Sequence, residues 1–231
     1  FKYTHSNAKA SSIGFNKQLT VKTINDTSIL IPEYHIISYQ DISEKKLFDY
    51  FNIYGPYVIK PLSSGSSFGV KIFKDENAID YFLKDINKNI YLYKNHNYLL
   101  VQKYIHGREL TVAVIEKNKK SYAIEVTEIV AKSDFFDYKS KYTLGFSKHI
   151  LPAKIPIEIY KNCKSYAKFV HDKINCRGIS RSDFIYNENK LYFLEINTQP
   201  GLTKISLVPE QLKYQNFSFN NLITNLISCA L

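Results

Sequence analysis

The sequence predicts an α+β fold. Strand-like runs follow one another directly between residues 97 and 130 and again between 178 and 197. Helical segments flank these runs, and the regular strand–helix alternation of a doubly wound parallel sheet is missing. With 231 residues, 45% of them hydrophobic, the chain is long enough to bury a sizeable core.

Residues 16–27 read as a helix and 33–38 as a strand. Ser43 is a suitable N-cap for a helix over 43–54, with Lys46 standing where Glu or Gln would complete a capping box. YVIKP (57–61) is a short apolar strand, SSGSSFG (63–69) a flexible loop and VKIF (70–73) a returning strand; Asp75 caps a helix over 76–86. NYLLVQKYI (97–105) and RELTVAVIE (108–116) are strands joined at His106-Gly107, and SYAIEVTEIV (121–130) is a third. Residues 131–149 are polar and aperiodic, with Phe135, Phe136, Tyr138 and Tyr142 among charges, the character of a functional or disordered loop. A helix over 157–173 precedes the strands GISRSDFIYN and KLYFLEIN, and short helices near 208–214 and 220–230 close the chain. A boundary near 103–107 separates a smaller N-terminal unit from a larger sheet.

Composition excludes several classes. No run of 18 apolar residues predicts a membrane span, and the N-terminus lacks the apolar stretch of a signal peptide. Cys163, Cys176 and Cys229 are odd in number and scattered, which suits reduced thiols in the cytoplasm. His171 and Cys176 lack further partners for a metal site and read as helix-end residues. The chain begins with Phe and contains no Met, so an upstream segment is expected. The net charge of +10 invites a nucleic-acid partner, but only Arg108, Arg177 and Arg181 are arginines and the lysines form no block. Such a charge gives non-specific attraction, and a site for anionic phosphates accounts for it equally, so no nucleic-acid partner is expected.

The most informative stretch is the hairpin ISRSDFIYNENKLYFLEINT. By strand alternation Arg181, Asp183 and Ile185 share one face of the first strand, and Phe193, Glu195 and Asn197 one face of the second. A turn centred on Asn189 sets Asp183 opposite Glu195 and Arg181 opposite Asn197, with Phe184, Leu194 and Ile196 on the other face. Opposed carboxylates repel unless something positive lies between them. Arg181 is one candidate counter-charge, on a merely solvated sheet face. A divalent cation is the other: Asp183, Glu195 and the Asn197 carbonyl are hard oxygen donors, few enough to suit magnesium shared with substrate phosphates. Neither GxxxxGK[ST] nor GxGxxG occurs. Lys60 at a strand end before the Gly/Ser loop offers instead a strand–loop–strand able to fold over phosphates; a plain hydrophilic hairpin loop has the same pattern.

KPLSSGSSFGV, QKYIHGRELTVAV, FFDYKSKYTLG and GISRSDFIYNENKLYFLEINTQPGLTKISLVPEQ together resemble the D-alanine–D-alanine ligases of the ATP-grasp superfamily, from about Tyr3 to the C-terminus. The resemblance implies an ATP-grasp fold in which two antiparallel-sheet subdomains clamp ATP. These are a central one over 1–103 and a C-terminal one over 104–231 with a lid over 131–149; the family's N-terminal substrate domain is absent from this sequence. It further implies that Lys17 and Lys60 contact phosphates, that Gln102, Lys103, Tyr104 and Ile105 lie beside adenine, and that Glu109 holds the ribose. Phe135 and Phe136 of the lid are implied at the nucleotide. Gln102 stands where family members usually carry Glu, and its amide still accepts from the adenine amine.

Asp183, Glu195 and Asn197 match the ligands of magnesium or manganese, Arg181 the residue that binds substrate carboxylate, and Lys141 the lysine on the transferred phosphate. Ser66 and Tyr142 match two members of a hydrogen-bonding triad, and Gly201, Ser206 and Leu207 line the second amino-acid site, Gly201 through its backbone N–H. Tyr142 favours an amine nucleophile over D-lactate. The implied activity is ATP-dependent joining of two D-alanines through an acylphosphate, for peptidoglycan precursor synthesis, by an enzyme that is a homodimer when intact. Another ATP-grasp carboxylate–amine ligase is the alternative, against which the SLVP turn (206–209) and the YKSKY loop argue. A non-catalytic nucleotide-binding module is a second.

Overall fold

The computed structural model describes residues 2–25, 28–65, 67–131 and 147–230. It confirms the mixed character: helices pack on a four-stranded and a five-stranded sheet, both antiparallel. Two compact units result. One runs from Pro32 to His106, and the other joins the segment up to Ile31 with the chain from Gly107 onward. The first 31 residues therefore group with the C-terminal sheet and not with the subdomain 1–103 that the resemblance implies.

In the smaller unit the sheet order is β1-β4-β2-β3, from β1 (Tyr34–Ser38), β2 (Tyr57–Pro61), β3 (Lys71–Phe73) and β4 (Tyr98–Lys103). Period-two alternation buries Tyr57 and Ile59 and turns Lys60 to the opposite face. Tyr57 stacks on Phe73 with ring centroids 4.8 Å apart, over a core that includes Leu47, Ile79, Phe82, Leu99 and Val101. Ser43 caps α3 (Glu44–Tyr54) by accepting from Lys46 N at 3.4 Å, and Asp75 caps α4 (Glu76–Lys84) by accepting from Ala78 N at 2.9 Å. The single helix predicted over 76–86 is two, because Asp85 leaves the helical region at φ −126° before α5 (Ile86–Tyr91) begins.

The larger sheet has the order β7-β6-β5-β8-β9, from β5 (Arg108–Lys117), β6 (Lys120–Ala131), β7 (Ser147–Ile150), β8 (Ile179–Asn187) and β9 (Lys190–Asn197). On one face α6 (Ile157–Ile174) sets Ile159, Cys163, Ala167, Val170 and Ile174, at helical spacing, against Leu110, Val112, Phe184 and Phe193. On the other, α7 (Leu207–Tyr214) and α8 (Phe219–Ala230) set Val208, Leu212, Leu222 and Leu226 against Ala113, Ile115 and Ile179.

Two elements escape the sequence reading. Helix α1 (Ala8–Phe15) precedes α2 (Lys17–Ile24); Asn7 caps the first and Asn16 the second, each side chain accepting from a backbone N–H three residues on. The helix expected over 16–27 stops at Ile24, where Asn25 turns left-handed. Strand β7 lies inside the stretch expected to be irregular, where Ser147–Ile150 pairs with Glu128–Ala131. Among the described residues no helix is long and apolar enough to cross a membrane.

Candidate active site

The carboxylates of the β8–β9 hairpin face one another as the spacing predicts: Asp183 pairs with Glu195 and Arg181 with Asn197. The route to that register differs. Near the turn the strands pair as Tyr186 with Leu191 and Phe184 with Phe193, and then slip by one residue between Phe184 and Asp183. Glu188 and Asn189 both take positive φ (45° and 63°), the conformation of a tight two-residue hairpin turn. Leu194 is the extra residue, a β-bulge in β9. The bulge corrects the expected face of Phe193: with Phe184 and Ile196 it lies in the core under α6, edge-on to Phe184. One inserted residue reverses the alternation, so Glu195 and Asn197 point away from that core.

The counter-charge for which Arg181 is one candidate in the sequence comes, in the structure, from two side chains. Arg181 clasps Asp183 through both oxygens, donating from Nε to Oδ1 at 2.9 Å and from Nη2 to Oδ2 at 2.8 Å. Lys17, 8% exposed in α2, stands 3.3 Å from Glu195. Burial alone would lower the Arg181 pKa, but the charge and hydrogen bonds of Asp183, with Glu195 and Glu109 beyond, hold it well above its ordinary value. Arg181 is thus a permanent cation beside a cluster of carboxylates.

These residues fit a magnesium ion. Asp183 Oδ2 accepts one hydrogen bond from Arg181 in the structure, which leaves it acceptor capacity. Asn197 Oδ1 accepts from Gln199 N at 2.9 Å, an arrangement that orients the amide and leaves a lone pair. Among the described residues no three His, Cys, Asp or Glu side chains converge on one point. Two carboxylates and an amide are a sparse oxygen set, of the kind that suits a cation which keeps waters or substrate phosphates as its remaining ligands.

The loop after β9 is built tightly. Thr203 N donates to Ser206 Oγ at 3.1 Å and Ser206 N to Thr203 O at 2.9 Å. A Cβ on Gly201 would sit 3.0 Å from Ser206 Oγ, so glycine keeps this backbone open to approach. Leu207, the first residue of α7, is buried against Ile129. Glu109 lies on β5 opposite Ile185, on the strand face that carries Thr111.

In the smaller unit Lys60 lies on β2 opposite Leu100, and Gln102 is buried in β4, donating to Pro32 O at 3.4 Å. Lys103 N donates to Glu33 O and Tyr104 N to Pro56 O, both at 2.9 Å, so the chain is held extended into Ile105. Ser66, Phe135, Phe136, Lys141 and Tyr142 lie outside the described residues.

Sequence reasoning misses Thr111 and Gln211. Thr111, fully buried on β5, donates to Asp183 Oδ1 at 2.6 Å. Gln211, fully buried on α7, donates to Thr111 O at 3.1 Å and Thr127 Oγ1 at 2.9 Å, and accepts from Ala113 N at 2.9 Å. The available signal is alternation: Glu109 and Thr111 are polar positions on one face of an otherwise apolar strand.

The family pattern described as "D-ala D-ala ligase C-terminus" matches residues 23–228. The D-alanine–D-alanine ligase of Wolbachia sp. subsp. Drosophila simulans is 41% identical over all of this chain, which spans 69% of that protein. That of Zymomonas mobilis is 40% identical, with 70% of its length spanned. Among solved structures, D-alanyl-alanine synthetase A from Vibrio cholerae shares the fold with a TM-score of 0.80 at 24% identity, over 98% of this chain and 68% of that one. The VanG D-Ala:D-Ser ligase of Enterococcus faecalis does so with a TM-score of 0.77 at 26% identity, over 99% of this chain and 65% of that one. The likeness to the curated relatives extends well beyond a shared fold, since two residues in five are common across the whole of this chain: it belongs to the D-alanine–D-alanine ligase family.

Proposed function

We propose that this chain carries the nucleotide, metal and second-substrate machinery of an ATP-dependent ligase that joins two D-alanines for peptidoglycan precursor synthesis. The observation that carries the reading is the bulged hairpin, which turns Asp183, Glu195 and Asn197 away from the core while Arg181 stays charged beside them. Lys17 and Lys60 hold phosphates, Gln102, Lys103, Tyr104 and Ile105 border adenine, and Glu109 accepts from the ribose. Asp183, Glu195 and Asn197 hold magnesium or manganese, which when bound neutralises phosphate charge. Ser66, Lys141, Tyr142, Phe135 and Phe136, which lie outside the described residues, take the roles that the family resemblance implies.

The chemistry follows in two steps. The carboxylate oxygen of the first D-alanine attacks the γ-phosphorus of ATP and ADP leaves, giving an acylphosphate. The amine of the second D-alanine attacks the acyl carbon; the tetrahedral centre expels phosphate and the nitrogen gives up a proton. Arg181 orients carboxylate and phosphate oxygens, and the Gly201 N–H donates to the oxyanion. Ser206 and Leu207 set the position of the second amino acid. Covering the site protects the acylphosphate from water. A cytoplasmic place, supported by three free cysteines, and a homodimer belong to the same reading.

Calorimetric titration with ATP tests it, with and without magnesium, on the native chain, Glu195→Gln and Asp183→Asn. Magnesium-dependent binding by the native chain, weakened by about tenfold or more in both variants, is the expected result. Unchanged binding in both would remove the ligand assignment.

A further inference from the structure

Asp183 accepts a hydrogen bond that neither the family resemblance nor the hairpin pattern assigns. Thr111 stands directly opposite it across the β5–β8 pair, and its hydroxyl lies 2.6 Å from Oδ1 but 3.4 Å from Ser182 O. An ionised carboxylate accepts only, so the threonine proton points at Asp183. A carboxylate offers about four acceptor sites, two on each oxygen. Oδ1 receives Thr111 Oγ1 and Arg181 Nε and is full; among the described residues Oδ2 receives only Arg181 Nη2.

Thr111 is itself held. It is fully buried and β-branched, with few rotamers open to it. Its backbone carbonyl accepts from Gln211, which is anchored in turn to Thr127 and Ala113. A rigid strand and a helix therefore fix the one hydroxyl that touches the Asp183 oxygen facing away from its open acceptor site.

We propose that Thr111 is a positioning residue for the divalent cation: by filling the last acceptor site of Oδ1 it confines the metal to Oδ2 of Asp183 and fixes the plane of that carboxylate. The inference rests on the assignment of Asp183 and Glu195 as metal ligands. Without the hydroxyl the carboxylate can rotate or offer both oxygens, and Arg181 alone no longer selects between them.

The test is direct binding of Mn2+ in the presence of ADP, followed by the electron spin resonance of free Mn2+, so that no turnover is needed. The proteins are the full chain, Thr111→Val, Thr111→Ser and Glu195→Gln, each checked for folding by circular dichroism without metal. Thr111→Val is expected to weaken Mn2+ by about 10–100-fold, and Thr111→Ser to recover the native affinity to within about threefold. A purely structural role would lower the melting temperature of the Val variant and leave the Mn2+ affinity alone. Native affinity in Thr111→Val, with a loss in Glu195→Gln, overturns the positioning role and leaves the ligand assignment standing. Native affinity in Glu195→Gln, or no Mn2+ binding by the native chain, overturns both. Should Thr111→Val fail to fold, Thr111→Ala is read in its place against Thr111→Ser, with the same expected loss and the same overturning result.

Discussion

At the scale of single residues, the molecule puts charged and polar side chains into dry places and satisfies them locally. Asp183 is 6% exposed yet surrounded by donors, whereas His171 is 2% exposed and stays neutral. Burial pushes the His171 pKa down from 6.5 to about 4, with the Asp172 charge working against this and Lys168 with it. Its Nδ1 lies 2.7 Å from Ser180 Oγ, a contact that a neutral ring can make. Unfolding lets the imidazole take a proton at any pH below 6.5, so the unfolded state binds more protons between 6.5 and about 4. This stabilising contribution is complete above 6.5 and is lost as the pH falls towards 4. Urea denaturation should show about 2 kcal/mol less stability at about pH 5 than at about pH 7.5, with His171→Gln flattening that part of the profile. An unchanged profile in the variant would mean that the ring already carries its proton in the native state. This burial is not legible in the sequence, because a histidine near a helix end reads as polar there. The sequence also hid the Lys17–Glu195 pair, since two residues so far apart along the chain meet only once the first helices pack on the larger sheet.

At the scale of elements, the β8–β9 hairpin was legible and its bulge was not. Alternation and the opposition of Asp183 to Glu195 follow from period-two spacing. A one-residue insertion has no period, and Leu194 is as apolar as Phe193 before it. Helix caps were readable where a single side chain makes them, as at Ser43 and Asp75. Strand β7 was hidden because it is short and pairs with the distal end of β6. A second irregularity, in the β5–β6 pairing between Val112 and Val114, gives β6 one extra residue opposite Ala113, whose N–H donates to Gln211 Oε1 instead. Gln211→Leu should therefore cost about 2–6 kcal/mol, because it leaves the Ala113 N–H and Thr127 Oγ1 buried without this partner, each a loss of about 1–3 kcal/mol. Chemical denaturation measures the difference. A cost below about 1 kcal/mol would show that the strand re-forms its regular pairing without help from α7.

At the scale of the whole molecule, each unit has its own core. Leu99 belongs to the cluster built on Tyr57, Phe73 and Phe82, whereas Leu110, Val112 and Phe184 belong to the cluster under α6. The sequence marked a break near residues 103–107 through His106-Gly107 but offered nothing to detach the first 31 residues from the smaller unit. The reason is visible in the contacts: Ile24 and Ile29 enter the core of the larger sheet, and the Phe193 N–H donates to Leu30 O at 2.9 Å, tying the N-terminal segment to β9. Separate cores imply separable stabilities. Leu99→Ala removes a fully buried side chain and should cost about 2–5 kcal/mol through lost burial and the cavity left behind. If each unit opens on its own, that loss falls on the amides of β1, β2 and β4 in hydrogen exchange, while β5 and β8 keep their native protection. Equal acceleration in both sheets would instead mean that the chain unfolds as one cooperative body, and the two cores would then be two parts of a single folding unit.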